Sequence, residues 1–140
     1  GPYAADFEPN GGLWAPDINK IGDKYVLYYS MSVWGGELLA ASVVLLPISL
    51  RDLLRTTERC SAAMKSMYRT PSTFYIEDGG KKYLFWGSFR GIYAIELSDD
   101  GLSLKDGATP QQVAGTAYEG TYIHKKDGHY YFFASIGSCL

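Results

Sequence analysis

A tight turn of glycine and aspartate leading straight into an aromatic strand occurs three times in this 140-residue chain. The copies run Gly22-Asp23-Lys24-Tyr25-Val26-Leu27-Tyr28-Tyr29-Ser30, then Asp78-Gly79-Gly80-Lys81-Lys82-Tyr83-Leu84-Phe85-Trp86-Gly87-Ser88, then Asp127-Gly128-His129-Tyr130-Tyr131-Phe132-Phe133-Ala134-Ser135. Each follows a short β-prone segment: Asp17–Ile21, Thr73–Glu77 and Thr121–Lys125. Strand, glycine turn, strand is the pattern of a hairpin whose turn needs positive φ. Aligning Tyr25, Tyr83 and Tyr130 gives a period of about fifty residues, the range in which a propeller blade recurs. The strands are apolar on both faces, which suits a sheet sandwiched between neighbours better than one with a wet side.

Between the second and third copies, Gly91–Leu97 followed by Ser98-Asp99-Asp100-Gly101 reads as a further strand ending in a turn. One stretch breaks the pattern. Residues 50–67, with Arg51-Asp52-Leu53-Leu54-Arg55 and Ala62-Ala63-Met64-Lys65, read as an amphipathic helix where a blade requires strands. Local preference and global pattern disagree there, which marks the segment as foreign to the fold.

Composition narrows the function classes. Aromatic residues make up 15% of the chain, offering flat faces that stack on sugars. A formal charge of -2 argues against a nucleic-acid partner, which would need a concentrated basic surface. Cys60 and Cys139 are the two cysteines and stand outside any zinc-ligand spacing, so no metal site is expected in this chain. The longest apolar run, Leu38 to Leu50, contains Pro47 and is shorter than the ~20 residues of a membrane span, so no membrane partner is expected. The opening Gly1-Pro2-Tyr3 has neither an initiator methionine nor a basic leader, so the chain is expected to begin inside a longer protein or after processing.

Leu13-Trp14-Ala15-Pro16-Asp17-Ile18 and the following Lys24-Tyr25-Val26-Leu27-Tyr28-Tyr29-Ser30 resemble signature strings of glycoside hydrolase family 43, the arabinanase and β-xylosidase group. Tyr83-Leu84-Phe85-Trp86-Gly87-Ser88-Phe89 resembles a third-blade strand of that family, and Tyr118-Glu119-Gly120-Thr121-Tyr122-Ile123 the segment that carries its general acid. The resemblance implies a five-bladed β-propeller, of which residues 1–140 supply about two to three blades of a single catalytic domain. It implies a hydrolase of arabinose- or xylose-containing plant polysaccharide that inverts at the anomeric carbon. It also implies an extracellular or periplasmic location, and a structural Ca²⁺ in the full-length protein rather than a cofactor in this chain.

Residues 38–73 depart from the family's text. Decoded in a displaced reading frame, however, Ser42–Ser61 and Ala62–Thr73 become text of the family's kind, ending in an Ile-Asp pair. A paired frameshift between about Glu37 and Thr73 is therefore expected, and codons incompatible with that frame would end the idea. Family members use an aspartate base, an aspartate that tunes the acid, and a glutamate acid. By the resemblance the base lies upstream of Gly1 and the tuning aspartate falls where Ser72 and Thr73 stand, leaving Glu119 alone.

Inversion needs a protonated carboxyl at the leaving oxygen and a carboxylate activating water on the opposite face, ~6.5–9.5 Å away. One carboxyl cannot do both, so the chain alone is expected to be inactive. Trp14 and Trp34, at the ends of a blade's loops, are the expected sugar contacts, and Trp86 is expected in the core. Asp17 is expected to make an Asx-type turn bond at the entry to the first hairpin. His124 and His129 are expected to face solvent, and Lys81, Lys82, Lys125 and Lys126 to act as solubilising turn charges. Two other readings compete: a non-catalytic carbohydrate-binding propeller fragment, and a pseudogene product without function. The oligomeric state is not legible.

Overall fold

The structure is a computed structural model that describes residues 9–33, 46–48 and 73–137, with backbone alone for 31, 32 and 46–48. The helix expected over residues 50–67 lies outside the described residues, which contain strands and turns but no helix. The strands are β1 (Gly12–Ile21), β2 (Lys24–Ser32), β3 (Leu46–Ile48), β4 (Thr73–Asp78), β5 (Lys81–Ser88), β6 (Gly91–Leu97), β7 (Gln111–Ala114), β8 (Tyr118–Lys126) and β9 (His129–Ile136). They form three separate antiparallel sheets, ordered β1-β2-β3, β4-β5-β6-β7 and β8-β9.

All three expected hairpins are present: β1/β2, β4/β5 and β8/β9. In the second, Gly79 and Gly80 both have positive φ, at 57° and 79°. The third turn uses Asp127 at 51° and Gly128 at 76°. Two consecutive left-handed residues give the turn a twist that matches the strands, and glycine or aspartate reaches that region at least cost. The further strand at Gly91–Leu97 is β6 with the expected limits. β1 starts earlier than expected, at Gly12, and so carries the whole Trp-Ala-Pro-Asp-Ile string. β3 falls within residues 38–73 and pairs with β2 through Leu46, Pro47 and Ile48.

The first and second sheets enclose the core. Ile21, Val26 and Tyr28 from the first meet Tyr75, Leu84, Trp86, Ile95 and Leu97 from the second, and all are buried. Tyr28 stacks on Tyr75 with centroids 5.4 Å apart and planes at 12°. The Tyr28 hydroxyl donates to the Gly101 carbonyl at 3.0 Å, which satisfies the one polar atom the ring carries inside. Burial pushes this phenol well above the ordinary tyrosine range. Trp86, 1% exposed and stacked 5.8 Å from Tyr93, belongs to the core as expected. The third sheet packs on the other face of the second, with Ile123 buried and Phe74 edge-on to Tyr122 at 5.1 Å.

Three sheets in succession, each touching the next by its faces and separated in hydrogen bonding, make a partial propeller. The innermost strands show it directly. Thr73 of β4 reaches Ala15 of β1 and Tyr75 reaches Asp17, both across 58 residues, so β1 and β4 run in the same direction. Phe74 meets Tyr122 at one end and Asp78 meets Lys125 at the other, so β4 and β8 also run the same way. Within one sheet such neighbours would be hydrogen-bonded; here side chains bridge separate sheets.

Candidate functional site

Because β1, β4 and β8 run side by side in one direction, their first residues gather at one end of the fold. Trp14 precedes Ala15, Thr73 opens β4, and Glu119 lies near the start of β8. Each inner strand is locally distorted or anchored there. β1 bulges between Trp14 and Asp17, with Ala15 at a left-handed φ of 45°. β8 bulges between Glu119 and Tyr122, with Gly120 at φ 66°. Bulges re-aim side chains at strand ends, and a positive φ at a residue with a Cβ is a backbone cost that its surroundings must hold in place.

What holds Ala15 is a pair of bonds between the sheets. The Thr73 hydroxyl donates to the Ala15 carbonyl at 2.9 Å, and the Asp17 carboxylate accepts from the Tyr75 amide at 2.7 Å. Asp17, expected to bond locally at the entry to the hairpin, is hydrogen-bonded to the Asn19 side chain and also reaches the Tyr75 amide on the next sheet. Burial raises its pKa, and the Tyr75 amide opposes that shift. Sequence reasoning missed this role because the partner lies 58 residues away. The available signal was Pro16 beside Asp17 inside a β-prone segment.

Glu119 is half-buried, opposite Ser135 on β9. Gly120 beside it takes a left-handed φ of 66°, which favours glycine, whereas a Cβ there would meet Ser135 Oγ at an ordinary contact distance of 3.6 Å. Trp14 is half-buried with its indole folded back over Gly12, whose Cβ position is 3.1 Å from Trp14 Cζ2. Trp34 lies outside the described residues, as does Ser72. Thr73 is described, and its hydroxyl is engaged with Ala15.

At the opposite end, Asp78 takes hydrogen bonds from both Lys125 and Tyr130, and the Lys125 ammonium sits 5.3 Å from the Tyr130 ring centre. These partners hold the Asp78 carboxyl below the ordinary range. Lys125 thus joins the second and third sheets rather than merely solubilising a turn. His124 and His129 are exposed, as expected. Among the described residues no cluster of three or more His, Cys, Asp or Glu is placed to hold a metal ion. A groove of about 760 Å³ opens between the second and third sheets, but neither Glu119 nor Trp14 lines it.

A half-buried carboxyl and an indole at the converging starts of propeller strands are parts suited to carbohydrate chemistry. The profile of glycosyl hydrolases family 43 matches residues 3–140, so this chain belongs to that family. It is 30% identical over 96% of its length to the probable arabinan endo-1,5-α-L-arabinosidase A of Aspergillus fumigatus, covering 44% of that protein. It is also 34% identical to the corresponding protein A and 33% identical to protein C of Aspergillus clavatus, in each case over 91% of the chain. The chain spans about two fifths of these relatives, 41% and 40% respectively.

Proposed function

We propose that this chain is the middle portion of an arabinan-degrading hydrolase that cleaves α-1,5-linked arabinofuranose by single displacement with inversion, with Glu119 as general acid. The observation that carries the reading is the position of Glu119: half-buried, on a bulge, at the shared end of the inner strands. Trp14 at that end, and Trp34, supply stacking faces for the furanose ring. The names of the fungal relatives support arabinan over xylan.

Of the three acids the family resemblance calls for, Glu119 is the one assigned within this chain. Thr73 stands where the family resemblance puts the tuning aspartate, and a hydroxyl bonded to the Ala15 carbonyl offers no carboxylate. A single acid protonates a leaving oxygen without activating water behind the sugar, so the chain by itself does not turn over. The substrate is an oligo- or polysaccharide met outside the cell or in the periplasm, and a structural Ca²⁺ belongs to the full-length protein.

Two measurements test this reading. On arabinan and on an aryl arabinofuranoside, the 140-residue chain and its Glu119→Gln variant should both stay at the uncatalysed rate; turnover by the former alone would place a working base within these residues. In the full-length protein, Glu119→Gln should abolish hydrolysis of arabinan while sparing aryl arabinofuranosides whose leaving group needs no proton. Full arabinan activity in that variant refutes the assignment.

A further inference from the structure

Trp14 and Asp17 stand three positions apart on β1, a spacing that a regular strand would set on opposite faces. The bulge between them removes that difference. Trp14 pairs with Ser30 and Asp17 with Tyr28, and these two partners are alternate residues of β2, both fully buried. Leu13, Pro16 and Ile18 take the exposed positions of the strand. Trp14 therefore shares with Asp17 and Tyr28 the face turned towards the second sheet, at the strand end where Glu119 lies.

Two features fix the indole on that face. Gly12, two residues before it, lies against the ring: a Cβ there would stand 3.1 Å from Trp14 Cζ2 and 3.2 Å from both Cε2 and Nε1. Three adjoining ring atoms at nearly one distance mean that the ring runs along the glycine, closer than a methyl group allows. The backbone of Gly12 lies outside the left-handed region, so it is the space beside it that calls for glycine. On the other side of Trp14, Ala15 holds its left-handed φ of 45°. The Thr73 hydroxyl on the Ala15 carbonyl and the Tyr75 amide on the Asp17 carboxylate tie the bulge to β4 on both sides of Pro16.

We propose that Gly12 and Thr73 are positioning residues that hold the Trp14 indole in one orientation for a sugar ring, an inference that rests on Trp14 being a sugar contact. Gly12 lets the ring lie along the strand, and Thr73 keeps the Ala15 carbonyl, and with it the bulge, in place. Ordering a loose side chain on binding subtracts from affinity, so a stacking face serves best when its plane is set before the sugar arrives. Here the plane is set by a missing Cβ and by a bond to the next sheet.

The test is steady-state kinetics of the full-length protein on an α-1,5-linked arabino-oligosaccharide. Gly12→Ala displaces the ring slightly and should raise KM about three- to tenfold with kcat within about twofold. Thr73→Val, which loses the donor, should do the same and carries the test if Gly12→Ala fails to fold. Thr73→Ser, which keeps the hydroxyl, should restore the parent KM. On a Trp14→Ala background neither Gly12→Ala nor Thr73→Val should raise KM further, because each acts through the indole. A fall in kcat with KM unchanged, effects that add to Trp14→Ala, or a serine variant no better than the valine one would overturn the positioning role. Trp14→Ala at the parent KM would overturn the sugar contact itself, a failure told apart because it lies in the Trp14 variant and not in those of Gly12 or Thr73.

Discussion

Asp17→Ala tests whether the bulge in β1 exists to reach the next sheet. The Asp17 carboxylate accepts the Tyr75 amide at 2.7 Å in a partly buried setting. Alanine leaves that N–H without its acceptor, and a buried unsatisfied donor costs ~1–3 kcal/mol. Taking about 2 kcal/mol, and ~3–4 °C per kcal/mol for a domain of this size, the melting temperature should fall by about 6–8 °C. Asp17→Asn keeps an acceptor oxygen and loses only the charge, so it should stay within about 1 kcal/mol of the parent. The pH dependence has a definite sign. The folded chain raises the pKa of Asp17, so folding takes up a proton between the ordinary carboxylate value and the raised one. Relative to Asp17→Asn, the parent should therefore lose stability as pH rises through the raised value and regain it as pH falls. Urea titrations of the three proteins at several pH values measure all of this. Equal losses in the Ala and Asn variants, or a parent-minus-Asn difference that falls on acidification, would refute the reasoning.

Three further outcomes follow from the same contacts. Gly101→Ala should cost about 2–4 kcal/mol in urea titration, because its Cβ would lie 2.5 Å from Ile21 Cδ1 and 2.9 Å from the Tyr28 hydroxyl at a φ of 71°. Tyr28→Phe removes the buried bond to the Gly101 carbonyl and should cost about 1 kcal/mol by the same assay. Asp78 is held below the ordinary carboxylate range by Lys125 and Tyr130, so its contribution is present at neutral pH and lost as pH falls through the depressed value. The stability gap between parent and Asp78→Asn should close on acidification, and a gap that widens contradicts the contact.

Much of the fold was legible because hairpin signals are local. Gly79-Gly80 and Asp127-Gly128 announce their turns in two residues, and the aromatic runs behind them announce strands, of which β5 is largely buried whereas β9, expected to be covered on both faces, is exposed among the described residues. Strand β7 escaped notice because Gln111-Gln112-Val113-Ala114 has no strong β preference and is held by pairing with β6. Contacts between sheets were not legible, since Asp17, Lys125 and Asp78 acquire their partners only when strands about fifty residues apart are laid side by side. For the site, Glu119 came from its resemblance to the family's acid segment. That β8 bulges there, opposite Ser135, is visible only in the structure.

If β1, β4 and β8 are the inner strands of three distinct sheets that start at a common end, nuclear Overhauser spectra of the labelled chain show it most directly. Side-chain cross-peaks should join Tyr28 to Tyr75 and Phe74 to Tyr122, and the Tyr75 amide should lie near the Asp17 β-protons, with no backbone ladder between β4 and either β1 or β8. A regular ladder of backbone contacts between β4 and β8 would merge them into one continuous sheet and contradict the propeller on which the functional reading depends.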